Sequence, residues 1–476
     1  MDTSVAEGRR WLALASVAAA QFLAVMDAFI VNVAIPSIRV DLHASAAEIQ
    51  SVVAVYQIAY AALLITGGRL GDIAGRRRVF LLGVVGFTLA SLWCGLSGSA
   101  LTLIAARAAQ GAAAALMVPQ VLASIHTLFP DAARARAFAV LGVAIGLGAA
   151  TGFMLGGWLV ALDLAGLGWR AIFWVNVPVG VAIVLAASVL VPPMPRSDSM
   201  RLDMSGATLL FTGLIGLLVP LMFGRELGWP WWLWLMMAAA AGVLVGFVQH
   251  QRASERRHGM PLIDLALFED RVFVAGIGAT FCFFLGNLSF YFVLTLYLQN
   301  GLGFAPIDAA LIVLPLAFAF VIGSRLATGR TRRRGIPALI DGCFVQAAGL
   351  AGTMLLVGTV AEPSMAMLMV PLAVFGYGQG MVLAPLFSAV LALVRHAHAG
   401  AGSGMLTTTQ QVANGTGVVL VGAVYFAERA AHGERWATLA ALAALAWTIA
   451  GTIGFLQRMR PAPVSLPAPA RSPSRP

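Results

Sequence analysis

Apolar residues run along this chain in long unbroken blocks. They show neither the strict alternation of a half-buried strand nor the one-sided stripe of a soluble helix. A membrane-spanning helix needs about 20 mainly apolar residues. Fourteen blocks meet that rule, near 12–36, 50–70, 79–98, 101–123, 137–161, 170–191, 205–224, 231–249, 272–297, 305–326, 336–358, 365–392, 403–426 and 436–457. The first follows Arg9 and Arg10 and imitates a signal peptide. It is too long for a signal core, and more spans follow, so a retained helix is expected and the Arg pair is read as its flank.

Composition agrees. Hydrophobic residues make up 60% of the 476 and charged residues 11%, with a mean hydropathy of +0.89. Soluble domains carry about 25% charged residues. A soluble enzyme and a disordered chain are both excluded. The net charge is +10, and all 30 basic residues are Arg. Nucleic-acid binding would gather them on one face. Instead they fall in short loops. Taking the N-terminus as cytoplasmic, twenty-four lie on that side, five on the other (Arg39, Arg170, Arg225, Arg429, Arg435), and Arg107 lies within a span. Positive loops stay inside, so an even number of spans with both termini in the cytoplasm is expected.

A repeat organises the blocks. The loop after the second reads GGRLGDIAGRRR, Gly67 to Arg78, and the loop after the tenth reads GSRLATGRTRRR, Gly323 to Arg334. They align without gaps at an offset of 256 residues, with Thr328 in place of Asp72. The expected plan is a cytoplasmic N-terminus at 1–11 and a six-helix half at 12–191. A linker at 192–204, an extra helix pair at 205–249 and a connector at 250–271 come next. A second six-helix half at 272–457 and a disordered tail at 458–476, rich in Pro, Ser and Arg, complete it. Two halves around a cavity permit alternating access by rocking.

Within the first repeat loop, Gly68, Gly71 and Gly75 permit a tight turn and close helix approach. Asp72 can pair with Arg69 or Arg76, or sit at a helix start. Such a contact would latch the two halves in one state and break in the other, which makes these six residues the expected gate. Asp27 is a carboxylate inside the first span, a functional hypothesis by default. It lies about 13 Å below Pro36, and Arg107 lies about 9 Å into the fourth span from the same side. Burial favours the neutral acid and a neighbouring guanidinium favours the carboxylate. Asp27 is therefore the expected carrier of a coupling proton, with Arg107 tuning it; a static ion pair is the alternative. Asp341 starts the eleventh span and can snorkel, and Asp308 follows Pro306 as a helix-start charge.

Gly148, Gly152, Gly156 and Gly157 have the spacing that lets helices approach closely. Asn32, Tyr56, Gln57, Gln110, Gln120, Asn287, Tyr291, Gln379, Gln410, Gln411 and Asn414 are polar or aromatic positions inside spans. Each is a candidate for lining a substrate cavity or for an interhelical hydrogen bond. Cys94, Cys282 and Cys343 are far apart and define no metal or disulfide framework. His396 and His398 are too few for a metal site, and His126 is read as packing. With no Lys, no phosphate-binding GxxxxGK[ST] exists. No cofactor, metal or catalytic site is expected.

The Gly67–Arg78 stretch resembles the signature loop of the major facilitator superfamily. Other stretches resemble its fourteen-helix drug:proton antiporter branch. They are LAVMDAFIVNVAIPSI (Leu23–Ile38, with Asp27, Asn32 and Pro36), LIAARAAQGAAAA (Leu103–Ala115, with Arg107, Gln110 and Gly111), WRAIFWVNVP (Trp169–Pro178) and YLQNGLGFAPIDAAL (Tyr297–Leu311). The fifth span reads GAATGFMLGG, Gly148 to Gly157, with Phe153 where the antiporter motif has Pro. The resemblance implies an all-α membrane fold of two six-helix halves plus two central helices. It further implies a monomeric transporter in the cytoplasmic membrane, exporting a small hydrophobic or amphipathic compound in exchange for protons. A dedicated metabolite exporter or importer on the same fold is the alternative. A membrane receptor or assembly partner is disfavoured, because the sequence shows no soluble sensory or effector domain.

Overall fold

The computed structural model describes residues 3–129, 131–193, 203–258, 265–391 and 399–459. These form fifteen α-helices and no strand among the described residues. In the first half lie α1 (Thr3–Asp41), α2 (Ala46–Ala74), α3 (Arg76–Gly95), α4 (Ala100–Leu128), α5 (Asp131–Leu162), α6 (Ala171–Trp174) and α7 (Asn176–Leu190). The central pair is α8 (Met204–Phe223) and α9 (Trp231–His258). The second half holds α10 (Arg271–Leu296), α11 (Pro306–Arg334), α12 (Ile336–Thr359), α13 (Met365–Leu391), α14 (Ala399–His432) and α15 (Glu434–Arg458).

Among the described residues, thirteen helical segments are long and apolar enough to cross a membrane. The fourteenth expected block corresponds to α14, which is long enough but more polar. Large apolar side chains such as Trp447 (80% exposed) and Phe318 (68%) point outward, as lipid-facing positions do. The expected linker (192–204), connector (250–271) and tail (458–476) fall partly or largely on 194–202, 259–264 and 460–476, outside the described residues, as do His396 and His398.

Three boundaries differ from expectation. Helix α1 already begins at Thr3, inside the segment expected as a flank. Helix α9 continues to His258, into the expected connector. Gln251 there is fully buried and donates to Asp203 at 2.9 Å, and that tertiary anchor holds the polar turns helical. The sixth block is broken at Val175 between α6 and α7. Pro178 falls in the first turn of α7, where its missing N–H costs no helical bond.

Close crossings hold each half together. A Cβ on Gly67 (α2) would lie 2.1 Å from the Ala115 carbonyl oxygen of α4, and one on Gly323 (α11) 2.2 Å from that of Tyr377 on α13. These two glycines are equivalent in the repeat, so it appears in packing as well as in sequence.

Between the halves, α2 and α14 run antiparallel in contact, with Gly422 against Gln50, Gly415 against Ile58 and Gln57, and Gly404 against Ile65. Helix α8 wedges against this seam, burying Leu214, Leu218 and Met222 with Ala47, Ala54 and Ile58 of α2 and Val419 of α14. Trp11 lies tilted against Phe129 at the end of α4, and Met459 lies by Gly276 at the start of α10. The start of α1 and the end of α15 therefore share one face, the Arg-rich end. At the opposite end the halves are closed. Gln299 Nε2 donates to the Val33 carbonyl at 2.8 Å, Gly157 of α5 rests on Ala310 of α11, and Arg39 lies over the Phe426 ring at 5.6 Å.

Candidate functional site: a buried carboxylate cluster and its gate

Asp27 and Arg107 meet. Arg107 Nη1 lies 2.5 Å from Asp27 Oδ2, with exposures of 1% for Arg107 and 0% for Asp27. Gln110, one turn along α4, donates from Nε2 to Asp27 Oδ1 at 2.8 Å. Asn176, the first residue of α7, donates to the same oxygen at 2.7 Å. Both amides also donate to Ser91 Oγ of α3, at 2.7 Å and 3.2 Å. Arg107 further donates to Gln110 Oε1 at 2.5 Å and to the Val52 carbonyl at 3.3 Å, and packs on the Tyr56 ring at 4.3 Å. Three helices thus meet at one carboxylate, α3 braces the two amides through Ser91, and α2 covers the guanidinium. A buried charge needs such pairing and hydrogen bonding to be tolerated.

Gln110 and Tyr56, expected among the cavity candidates, belong to this cluster inside the first half. Ser91 and Asn176 were missed. Asn176 sat in the stretch WRAIFWVNVP as a polar residue in an apolar run; Ser91 had no such signal.

The gate residues are also placed. Asp72 pairs with Arg76 at 2.9 Å, and Arg76 reaches the Ala123 carbonyl at 3.2 Å and Thr127 Oγ1 at 2.9 Å on α4. Gly75 caps both α2 and α3 at φ 98°, a left-handed conformation that disfavours side chains. A Cβ on Gly71 would strike the Gln120 side chain, whose Nε2 donates to the Gly67 carbonyl at 2.8 Å. Gln120 thus packs the turn instead of facing the seam. Gly68 stands one ordinary contact from Pro119. In this state the Asp72–Arg76 pair closes within the first half. Arg69 is drawn electrostatically to Asp203 and Asp72. Asp341 pairs with Arg334 at 2.6 Å, both exposed at the Arg-rich end, and is no interior acid.

On α5, Gly148, Gly152 and Gly156 meet the α1 backbone at Phe22, Met26 and Ile30, one turn apart, while Gly157 faces α11. Among the remaining candidates, Tyr291 donates to Gln379 Oε1 at 3.0 Å, and Asn414 donates to Gln411 at 3.3 Å. Tyr60 of α2 lies beside Gln411 across the seam. Asn32 bonds its own helix at Ala28, Asn287 is buried on α10, and Gln410 is half-buried. Asn32 Oδ1, Gln57 Oε1, Gln379 Nε2 and Asn414 Oδ1 are buried with no partner among the described residues. The described residues include no group of metal-ligating side chains, and the three cysteines are free.

A two-half helical bundle with a carboxylate buried in one half has the architecture of a membrane transporter. The chain belongs to the Major Facilitator Superfamily, whose model matches residues 17–203 and 199–418. It is 42% identical over 421 residues to the "Probable actinorhodin transporter" of Streptomyces coelicolor, covering 88% of this chain and 73% of that protein. It is 35% identical to the "Cephamycin export protein CmcT" of Amycolatopsis lactamdurans (86% and 84% covered). It is 34% identical to the "Puromycin resistance protein pur8" of Streptomyces alboniger (89% and 83%). In fold it is similar to a peptide transporter of the POT family (TM-score 0.67, 16% identity, 97% and 99% covered). It is also similar to a D-xylose–proton symporter (TM-score 0.65, 17% identity, 94% and 96%).

Proposed function

We propose that this chain exports small hydrophobic or amphipathic compounds, of the antibiotic class its relatives handle, in exchange for protons. The observation that carries the reading is the Asp27 cluster. Its carboxylate joins α1 to α4 and α7 through three donors, Arg107, Gln110 and Asn176. Protonation removes the charge and turns one acceptor oxygen into a hydroxyl, which ends the ion pair with Arg107 and weakens the hydrogen bonds that the charge had strengthened. Arg107 then keeps Gln110 Oε1, the Val52 carbonyl and the Tyr56 face, while α1 is held less tightly, through Gln110 and Asn176 alone. Helix α1 is held to α5 by the glycine stripe, and α5 meets α11 of the other half. Loosening α1 therefore bears directly on the seam. Both charges are sealed in this state, so proton exchange belongs to another state.

The Arg-rich end is the cytoplasmic one by the positive-inside rule. The closed end then faces outside, and both termini lie within the cytoplasm of a monomer that needs no cofactor. The substrate enters from the Arg-rich side or the inner leaflet, binds along the seam, and leaves as a proton enters through Asp27. A dedicated metabolite exporter or an importer would use the same scaffold.

The test is growth inhibition across a panel of unrelated toxic compounds, in a host lacking its major pumps, with wild type, Asp27→Asn or empty vector at matched protein levels. Resistance to several compounds that disappears in Asp27→Asn is the expected result. Resistance to none would overturn the export reading in favour of a dedicated metabolite transporter or an importer.

A further inference from the structure

Phe153 stands where the antiporter motif has Pro, and its ring does something Pro cannot. It is buried on the side of α5 that faces the second half. Its centroid lies 5.1 Å from Tyr291 of α10 and 5.5 Å from Phe29 of α1, and those two rings meet edge-on at 5.4 Å. Three rings from three helices thus close on each other across the seam. Gly152, beside Phe153, brings α5 against the α1 backbone at Met26 and Ile30 and against the Phe29 Cβ, which sets the ring at this depth. Beside the rings, the Tyr291 hydroxyl donates to Gln379 Oε1 at 3.0 Å. Gln379 is 1% exposed, and its Nε2 has no acceptor among the described residues. The nearby acid, Asp27, is held by Arg107, Gln110 and Asn176, so the wall presents no free carboxylate.

We propose that Phe153 is a specificity-determining residue. Together with Phe29 and Tyr291 it forms an aromatic wall for flat, uncharged polycyclic aromatic compounds that carry a carbonyl or hydroxyl group. This deepens the export reading above and rests on it. Ring pairs prefer offset or edge-on contact and gain more than their buried area. A flat ligand sliding between the rings exchanges protein–protein ring contacts for protein–ligand ones and loses nothing in kind. A saturated ligand of the same size gains burial alone. The Gln379 N–H supplies the donor that a ligand carbonyl satisfies, which orients the flat ring system along the seam. Pro at 153 would leave one side of the wall bare.

The experiment uses the full chain in lipid nanodiscs without a pH gradient. Binding of 1,8-dihydroxyanthraquinone is followed by its fluorescence, with anthracene, which lacks the oxygen atoms, as a second probe. Phe153→Leu is expected to weaken binding of both about five- to tenfold, and Phe153→Trp to bind within about twofold of wild type. Gln379→Met is expected to weaken the quinone and leave anthracene unchanged. Should Phe153→Leu fold poorly, the Trp and Met variants still decide. Equal binding by wild type and Phe153→Leu, a Gln379→Met effect equal on both probes, or no quinone binding by wild type would overturn the proposal. In parallel, pH-driven efflux by wild-type vesicles tests the export reading alone. Efflux without aromatic preference leaves export standing and removes the role of Phe153. No pH-driven efflux of any compound removes export, while the binding data still judge the wall.

Discussion

At the scale of single residues, Asn176 is the informative position. It gives α7 a direct bond to Asp27 and shares Ser91 with Gln110. A hydrogen bond to a charged group is worth about 1.5–3 kcal/mol. Asn176→Leu is therefore expected to lower thermal stability in detergent by that order and to slow proton-driven exchange at least tenfold. Binding of substrate without a gradient should change little, which equilibrium binding and vesicle flux would separate. Arg107→Lys is expected to behave almost as badly as Arg107→Gln. A lysine cannot reproduce the fork that spans Asp27, Gln110 and the Val52 carbonyl, nor the face-on contact with Tyr56. Recovery of most pH-driven efflux by Arg107→Lys would show that charge alone matters there.

At the scale of helices, the ends carry much of the specification. Asp203 caps α8 through the Gly206 N–H at 2.8 Å and ties α9 to it through His250 at 2.8 Å and Gln251. Burial works against its charge, but the Gly206 N–H, His250 and Gln251 outweigh burial and hold the carboxyl below the usual aspartate range. Its stabilising contribution is complete above the ordinary value of about 3.9 and is lost as pH falls through the lower folded value. Asp203→Ala is expected to cost about 1 kcal/mol of cap energy at neutral pH. The gap between variant and wild type should close in strong acid, which thermal melts at stepped pH would reveal.

Much of this level was legible in the chain. The blocks, the repeat and the Gly spacing on α5 follow from short-range pattern. What was not legible depended on distance. Ser91 is 64 residues from Asp27, and nothing local marks it. The helical extension of α9 to His258 rests on Gln251 meeting Asp203, 48 residues away. In sequence Phe153 read only as a departure from the Pro of the antiporter motif, whereas in space it is a ring placed against Tyr291.

At the scale of the molecule, the closed end depends on small residues where α5 meets α11. A Cβ on Gly157 would fall 2.7 Å from the Pro306 carbonyl oxygen and 2.8 Å from Ala310 Cβ. Gly157→Leu is expected to prop the halves apart there. The distance between spin labels at positions 40 and 302 should lengthen, and reagents added from the side of the closed end should reach the seam. An unchanged distance distribution would mean that the α1–α10 and α2–α14 contacts hold this end shut without α5.

Helix α14 combines two properties described separately above. It is the long helix that does not qualify as a span by composition, and it lies between α2, α8, α10 and α15. Thr407, Thr408, Thr409, Gln410, Gln411 and Asn414 crowd its first half, a segment poorly suited to partition into lipid unaided. Its place in the bilayer must be secured by neighbours made earlier during synthesis, with Gly417 seated on Leu285 and Ser289 of α10 and Gly415 on α2. The seam between α2 and α14 is therefore a joint that forms late in synthesis. Substitutions that spoil its fit should send newly made chains to proteolysis before any of them has moved a substrate.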